Sequence, residues 1–190
     1  CGAAPLDRLA RAFHEDLGRA GGAEALEQAA QLIRVMQRDR QRVLDGRALP
    51  DSEMRAQLRE TFALSVDLML TAGGAELRSD DAPALLDAFA WCSTMRDLEE
   101  DLEKGLYLVP KEVVEQAVAE GAAIDDAATR FRELLGTDAV RSWMHREYQA
   151  AQRALDTTDE LLSELEGRSG HRALRMFARS IRTYAGTRYV

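Results

Sequence analysis

Hydrophobic residues recur every three or four positions through most of this chain, the spacing of one face of an α-helix. The first half contains three such stretches, each ended by glycine or proline signals. The second of them places Leu26, Ile33, Met36 and Val43 on an inward face. The stretches run from Pro5 to about Arg19, from about Ala23 to Leu44, and from Asp51 or Ser52 towards Gly73 and Gly74.

The second half continues the same pattern. Its helices run from Asp80, Asp81 and Pro83 to Gly105, from Pro110 to about Glu120, from Ala122 to Leu135, from Ala139 to about Leu165, and from about Gly170 to Ala185. Long runs of β-branched residues, which favour strands, are few. The pattern therefore predicts an all-α fold, a single bundle of about seven helices without a sheet.

Composition agrees with this prediction and excludes some classes of function. The 190 residues are 46% hydrophobic and 31% charged, which is typical of one globular domain spanning residues 1–190. The net charge of −8 argues against nucleic acid as the main partner. No apolar run is long enough for a membrane span.

Candidate chemistry lies near the end of the fourth long helix, where acids cluster between Asp97 and Glu103. Helical spacing places Asp97, Glu100 and Asp101 on one face, where their like charges repel one another. Mg²⁺ would relieve that repulsion, because it binds carboxylate oxygens together with substrate phosphates. An acidic patch can equally be a solvated helix face, and the pattern alone leaves both interpretations open.

The residues around these acids follow a more specific spacing. Arg96 and Asp97 are followed by Asp101, Gly105 and, after an extended segment, Pro110. This block resembles the second aspartate-rich motif of the squalene/phytoene synthase family. That motif reads approximately Q-x-x-N-x-x-R-D-x-x-x-D-x-x-x-G-R and is followed by an extended piece ending in proline.

Other positions of the resemblance are less regular. Glu100 fits an acid that the family commonly has before the second aspartate, whereas Ala90, Ser93 and Leu106 replace the usual Gln, Asn and final Arg. Upstream, residues 36–39 are similar to the M-x-x-D helix of the family. Most of the chain is covered in this way, but only the block from Arg96 to Pro110 is specific.

The resemblance implies the isoprenoid synthase fold, in which two acidic helices face each other across an apolar cavity. It implies an Mg²⁺-dependent enzyme that ionises an allylic prenyl diphosphate and completes prenyl coupling or cyclisation. Asp97 and Asp101 would bind the metal, with Glu100 assisting catalysis. The residues implied to bind substrate are Arg96, Asp39, Phe62, Ser65 and Met69. We therefore expect the acids at the rim of an apolar cavity, with Phe62, Ser65 and Met69 in its wall.

One part of the family pattern does not occur in this chain. The first aspartate-rich motif lies farther upstream of the second than this chain has residues before Asp97, and Asp7, Asp16 and Asp39 do not replace it. Either further N-terminal helices precede these residues, or the protein is a shortened relative. The alternative function is a non-catalytic relative that keeps the fold for assembly or lipid binding.

The last helix carries a stripe of arginines, and residues 167–190 contain six arginines and no acid. We expect Arg172, Arg175, Arg179 and Arg182 to be largely exposed, with Phe177 and Ile181 buried. Pairing with acidic neighbours is the favoured interpretation. The alternative is a surface for anionic lipid headgroups or diphosphate, and hence peripheral contact of a cytoplasmic protein with a membrane.

The chain has two cysteines, Cys1 and Cys92, and no pattern of a disulfide framework. This indicates a reducing compartment. A mature bacterial lipoprotein begins with cysteine, so a lipoprotein starting at Cys1 is an alternative localisation.

Overall fold

The computed structural model of the chain describes residues 5–188. Those residues are 81% helical and contain no strand, which confirms the predicted all-α bundle. A short 3-10 helix, Ser79–Asp81, precedes the third α-helix. The seven α-helices are α1 (Pro5–Asp45), α2 (Asp51–Ala72), α3 (Pro83–Glu103), α4 (Lys111–Ala119), α5 (Ala127–Leu135), α6 (Asp138–Glu164) and α7 (His171–Arg188).

Helix α1 is bent at Gly22, whose φ of 64° and ψ of −155° interrupt the helical backbone. A positive φ at this point favours glycine, because a side chain would be strained there. The two halves of α1 correspond to the first two helical stretches of the sequence. The predicted break between Arg19 and Ala23 is therefore confirmed, although the turn between the halves is short.

The predicted inward face of α1 is wrong at two positions. Ile33 and Met36 are 56% and 61% exposed, whereas Ala25 and Val35 are fully buried. The reason is that α1 packs mainly against α2, so only a narrow strip of its surface is covered. Hydrophobic spacing predicted the helix, but it could not tell which of its faces would find a neighbour.

Helix α3 lies at the centre of the bundle and packs against α2, α5, α6 and α7. Its carboxyl half contributes Leu98 and Leu102 to a core shared with α4, α5 and the start of α6. Its amino half contributes Leu85 and Leu86 to a second core shared with α2, α6 and α7. The helix that carries the acidic residues is thus held along its whole length.

Helix α5 begins five residues later than predicted. Gly121, with a φ of 104°, ends α4, and Ala122 donates a backbone hydrogen bond to Ala117. The helix starts only after Asp126, whose side chain accepts a hydrogen bond from the Ala128 backbone at 3.0 Å. This agrees with the interpretation of residues 125–126 as acids serving a helix amino terminus.

The basic face of α7 is partly exposed. Arg172 and Arg179 are exposed, while Arg175 and Arg182 are half-buried. Arg182 donates to Asp156 at 3.0 Å and to Asp159 at 2.8 Å, both on α6. Ile181 is buried as predicted, whereas Phe177, also predicted to be buried, is half-buried. These ion pairs agree with the interpretation of the stripe as a surface that pairs with acidic neighbours.

Residues 5–188 include no helix that is both long and apolar enough to cross a membrane. Cys1, on which the lipoprotein alternative depends, lies outside the described residues. Cys92 is a free, half-buried thiol on α3, and its burial raises the pKa of the thiol.

Candidate functional site

The acidic residues occupy the last two turns of α3, which ends in a well-defined cap. The Leu106 N–H donates to the Asp101 carbonyl at 2.8 Å, and the Gly105 N–H donates to the Leu102 carbonyl at 3.1 Å. These are the two hydrogen bonds of a Schellman motif, which requires a left-handed residue after the helix. Gly105 fills that position with a φ of 83°. Gly105 therefore fixes the end of α3 and, with it, the positions of the acidic residues in its last two turns.

The three candidate acids have different partners. Asp97 accepts two hydrogen bonds from the guanidinium of its neighbour Arg96, at 2.8 and 2.6 Å, and these lower the pKa of Asp97. Glu100 is exposed and forms an ion pair with Lys104. Asp101 is half-buried, and its carboxylate has no hydrogen-bond or ion-pair partner among the described residues.

The isolation of Asp101 has an electrostatic consequence. Burial, together with the negative charges of Asp97, Glu100 and Asp39, raises the pKa of Asp101 to about 6, while Lys104 opposes this shift. A pKa perturbed both by burial and by nearby charges is typical of functional sites, although structural ion networks produce it too. Asp101 is thus a carboxylate for which a cation would relieve several unfavourable interactions.

Asp39 reaches the same region from α1. Its carboxylate accepts a hydrogen bond from Arg42 at 3.0 Å and another from Gln57 on α2. Arg42 is itself buried and donates to the Tyr107 carbonyl at 2.6 Å, which ties α1 to the segment after α3. The structure therefore brings an acid of α1 within electrostatic range of Asp101.

The donor atoms suit Mg²⁺, which prefers the hard oxygens of carboxylates. Within residues 5–188, however, no three His, Cys, Asp or Glu side chains already form a group that could hold a metal ion. Asp97 is engaged by Arg96, and Asp39 by Arg42 and Gln57. A bound Mg²⁺ would therefore need the phosphate oxygens of a substrate to complete its coordination.

An apolar cavity beside α3 lies between α2, α3 and α6 and has a volume of about 400 Å³. Ion pairs connect the charged residues in its lining. Arg55 of α2 donates to Glu147 of α6 at 2.6 and 3.2 Å, and Arg59 donates to Asp87 of α3 at 3.0 Å. The apolar residues of its wall are Met54, Ala56, Leu58, Ala90, Trp91, Met95, Trp143, Ala150, Ala151 and Ala154.

The predicted cavity wall is wrong. Phe62 is buried against Phe89, with ring centroids 4.2 Å apart, and Ser65 donates to the Thr61 carbonyl at 2.8 Å. Met69 is exposed beside Gly170, at the other end of α2. None of these three residues lines the cavity between α2, α3 and α6 in the described part of the chain. The α2 residues that line the cavity lie between Met54 and Arg59, earlier in the helix than the three predicted residues.

The acids also lie outside this cavity wall, but they follow it along α3. Thr94, which lines the cavity, precedes Asp101 by seven residues. Seven residues are nearly two full turns, so the two side chains share a helix face and are separated by about 10 Å along the axis. The predicted rim of acids and the observed cavity are therefore neighbours on one face of α3.

Sequence reasoning missed several residues of this region. Arg42 and Gln57 hold Asp39, and Arg55 and Glu147 join α2 to α6 beside the cavity. Arg42 could have been suspected, since it lies three residues after Asp39 on the same helix face. The other contacts join residues far apart in the chain, and no local pattern signals them.

Comparisons of the chain with models of protein families, with curated proteins and with solved structures found no match.

Proposed function

We propose that the protein is an Mg²⁺-dependent prenyl-diphosphate enzyme of the squalene/phytoene synthase type, and that its bundle is of the isoprenoid synthase type. The enzyme would ionise an allylic diphosphate and direct the resulting carbocation to prenyl coupling or to cyclisation. The observation that carries the proposal is the convergence of Asp39, from α1, with Asp97 and Asp101, from α3. Their mutual repulsion is expressed in the raised pKa of Asp101.

In this proposal Asp97 and Asp101 bind the metal, and Glu100, the residue before Asp101, assists catalysis. Bound Mg²⁺ supplies positive charge that stabilises a leaving diphosphate. The residues of the chain itself prepare the site. Arg96 fixes the direction of the Asp97 carboxylate through two hydrogen bonds, and Asp101 remains unpaired and able to accept a cation.

The surroundings support the same assignment. The hydrocarbon part of a substrate whose diphosphate lies at Asp101 could extend along α3 towards the apolar cavity, about 10 Å away. Exclusion of water by such walls protects a reactive cation from side reactions. In this proposal the cavity between α2, α3 and α6 contacts the hydrocarbon part of the substrate, in place of Phe62, Ser65 and Met69.

The test is calorimetry of Mg²⁺ and pyrophosphate binding to the wild type, to Asp101→Asn and to Glu103→Gln. Both substitutions remove one negative charge from the end of α3, but Glu103 is exposed and outside the proposed site. We expect Asp101→Asn to weaken Mg²⁺-dependent pyrophosphate binding about tenfold or more and Glu103→Gln to change it by less than about twofold. Turnover of a labelled prenyl diphosphate should fall by orders of magnitude in Asp101→Asn alone.

Equal pyrophosphate affinity in all three proteins, with and without Mg²⁺, would contradict the metal site. Equal losses of pyrophosphate affinity in Asp101→Asn and Glu103→Gln would mean that the affinity depends only on the total charge at the end of α3. Circular dichroism of each variant verifies that the helices are intact.

A second candidate, a non-catalytic relative that acts in assembly, is favoured by a different observation. Leu6, Leu9 and Phe13 form an exposed apolar stripe on the first half of α1, at three- and four-residue spacing. Exposed apolar patches of this kind often mark interaction surfaces. Absence of turnover together with concentration-dependent association in analytical ultracentrifugation would favour this candidate over the enzyme.

A further inference from the structure

Two polar groups in the wall of the apolar cavity have no partner. Thr94 of α3 and Trp143 of α6 are 4% and 3% exposed, and both line the cavity between α2, α3 and α6. Neither the Thr94 hydroxyl nor the Trp143 indole N–H makes a hydrogen bond to any described residue. Buried polar groups in folded proteins are nearly always hydrogen-bonded, so two exceptions in one cavity wall need an explanation.

The chemistry of the two groups restricts what could satisfy them. An indole N–H can only donate, so the partner of Trp143 must supply an acceptor atom. A threonine hydroxyl can both donate and accept, so it is compatible with the same acceptor. The hydrocarbon chain of a prenyl diphosphate has no acceptor and would leave both groups unpaired.

The charged residues of the cavity indicate that the ligand is neutral. Arg55 is already paired with Glu147 and Asp51, and Arg59 with Asp87. The charges of both arginines are thus already balanced by carboxylates, so the cavity wall offers an anionic ligand no excess positive charge. The remaining wall is apolar, with small alanine side chains on α6 that leave the space open.

We infer that this cavity binds a neutral, largely apolar molecule that carries a hydrogen-bond-accepting oxygen, such as a ketone, an aldehyde or an alcohol. The oxygen accepts from the Trp143 N–H and pairs with the Thr94 hydroxyl after a small movement of the two side chains, because both polar atoms are fully buried. The hydrocarbon part contacts the alanines and Met95. A volume of about 400 Å³ lies within the usual range of small-molecule sites. The inference rests on the cavity and does not require the metal chemistry at Asp101. It assigns the cavity to a ligand other than the prenyl chain of the proposed function, so the two molecules would compete for the same space.

Three probes with one carbon skeleton test it: 4-phenyl-2-butanone, butylbenzene and 4-phenylbutyrate. They present a ketone, no acceptor and a carboxylate, respectively. Binding is measured by calorimetry and by tryptophan fluorescence, because Trp91 and Trp143 are the two tryptophans of the chain and both line the cavity. The relevant quantity is the ratio of the ketone affinity to the hydrocarbon affinity in each protein.

Two variants remove one polar group each: Thr94→Val at nearly constant shape, and Trp143→Phe with a smaller ring. We expect each to lower the ketone-to-hydrocarbon ratio about threefold to tenfold, the usual worth of one hydrogen bond, while the affinity for butylbenzene changes little. Ala150→Leu fills the cavity and should abolish binding of both probes. The same change at the exposed Ala119 of α4 should leave binding unaffected.

Three results would overturn the inference. The first is that the wild type binds neither the ketone nor the hydrocarbon. The second is that the ketone-to-hydrocarbon affinity ratio is unchanged in both Trp143→Phe and Thr94→Val. The third is that 4-phenylbutyrate binds more tightly than the ketone. The helix content and melting temperature of each variant are measured alongside. If Trp143→Phe does not fold, Ala150→Leu still tests whether the probes bind in this cavity. Pyrophosphate binding is measured on the same variants, so that a failure of the cavity inference can be distinguished from a failure of the proposed metal site at Asp101.

Discussion

Asp101 shows how a single residue depends on its surroundings. The sequence predicted that Asp97 and Asp101 share a helix face, because their spacing is four residues. It could not predict that Arg96 would engage Asp97 and leave Asp101 without a partner. That outcome depends on side-chain conformation and on burial. The contribution of Asp39, on another helix, depends on how α1 packs in the bundle.

The raised pKa of Asp101 predicts a specific dependence of stability on pH. Its pKa is about 6 in the folded protein and near 4 in the unfolded chain, so the folded state binds more protons between these values. Stability due to this group therefore falls as pH rises from about 4 to about 6 and stays low above that range. Asp101→Asn should raise the free energy of unfolding at pH 7.5, in the absence of Mg²⁺, by on the order of 1 kcal/mol after allowance for solvent screening.

The measurement is urea denaturation of wild type and Asp101→Asn from pH 4 to pH 8. The stability gain should be small at pH 4, grow through pH 5 and 6, and level off near pH 7. Glu103→Gln is the matched control for the removal of one negative charge from the end of α3. A gain from Asp101→Asn that is largest at pH 4 would have the wrong sign and would contradict the environment described for this carboxylate.

At the scale of the elements, the sequence predicted most helix ends through their capping residues. Pro83 begins α3, Gly105 follows its end, and Thr137 caps α6 by accepting from the Val140 backbone at 3.3 Å. These signals are local, since a cap needs only its own helix terminus. The start of α5 was placed too early because residues 122–126 carry helix-compatible side chains, whereas the backbone there leaves α4 in an extended path.

The cap of α3 predicts that substituting alanine for glycine changes the free energy of unfolding in opposite directions at Gly105 and Gly186. Gly105 has a φ of 83°, which strains any side chain, so Gly105→Ala should destabilise the protein by about 1–2 kcal/mol. Gly186 lies within α7, and an added Cβ there would meet no atom within 4 Å. Gly186→Ala should therefore be neutral or stabilising by up to about 0.5 kcal/mol. Thermal and urea unfolding of both variants provide the comparison.

A stabilising Gly105→Ala would show that α3 does not end in the Schellman motif described here. Pyrophosphate binding should weaken in the same variant, because the cap positions Asp101 through the hydrogen bond from Leu106 to its carbonyl. Gly186→Ala should leave that binding unchanged.

At the scale of the whole molecule, the limits of sequence reasoning are clearest. Hydrophobic periodicity identifies a face that could be buried, but burial also requires a second helix, and the crossing of α2 over α3 is not encoded in either helix alone. Phe62 was therefore placed in a cavity wall although it belongs to an aromatic core with Phe89. In the same way, Met36 was predicted to be buried although α1 packs mainly on α2.

The arrangement around α3 predicts how stability is distributed in the molecule. Leu102 of α3 is 1% exposed in the core shared with α4, α5 and α6, whereas Leu9 of α1 is 66% exposed. Leu102→Ala should cost about 3 kcal/mol, because it removes buried methyl groups and leaves a cavity. Leu9→Ala makes the same chemical change at the surface and should alter the free energy of unfolding by less than about 0.5 kcal/mol. Urea denaturation measures both values, and losses of similar size at the two positions would mean that the first half of α1 is covered in solution, by another copy or by other chain segments. Such a result would place the apolar stripe of α1 inside an interface and would favour the assembly function over the enzyme.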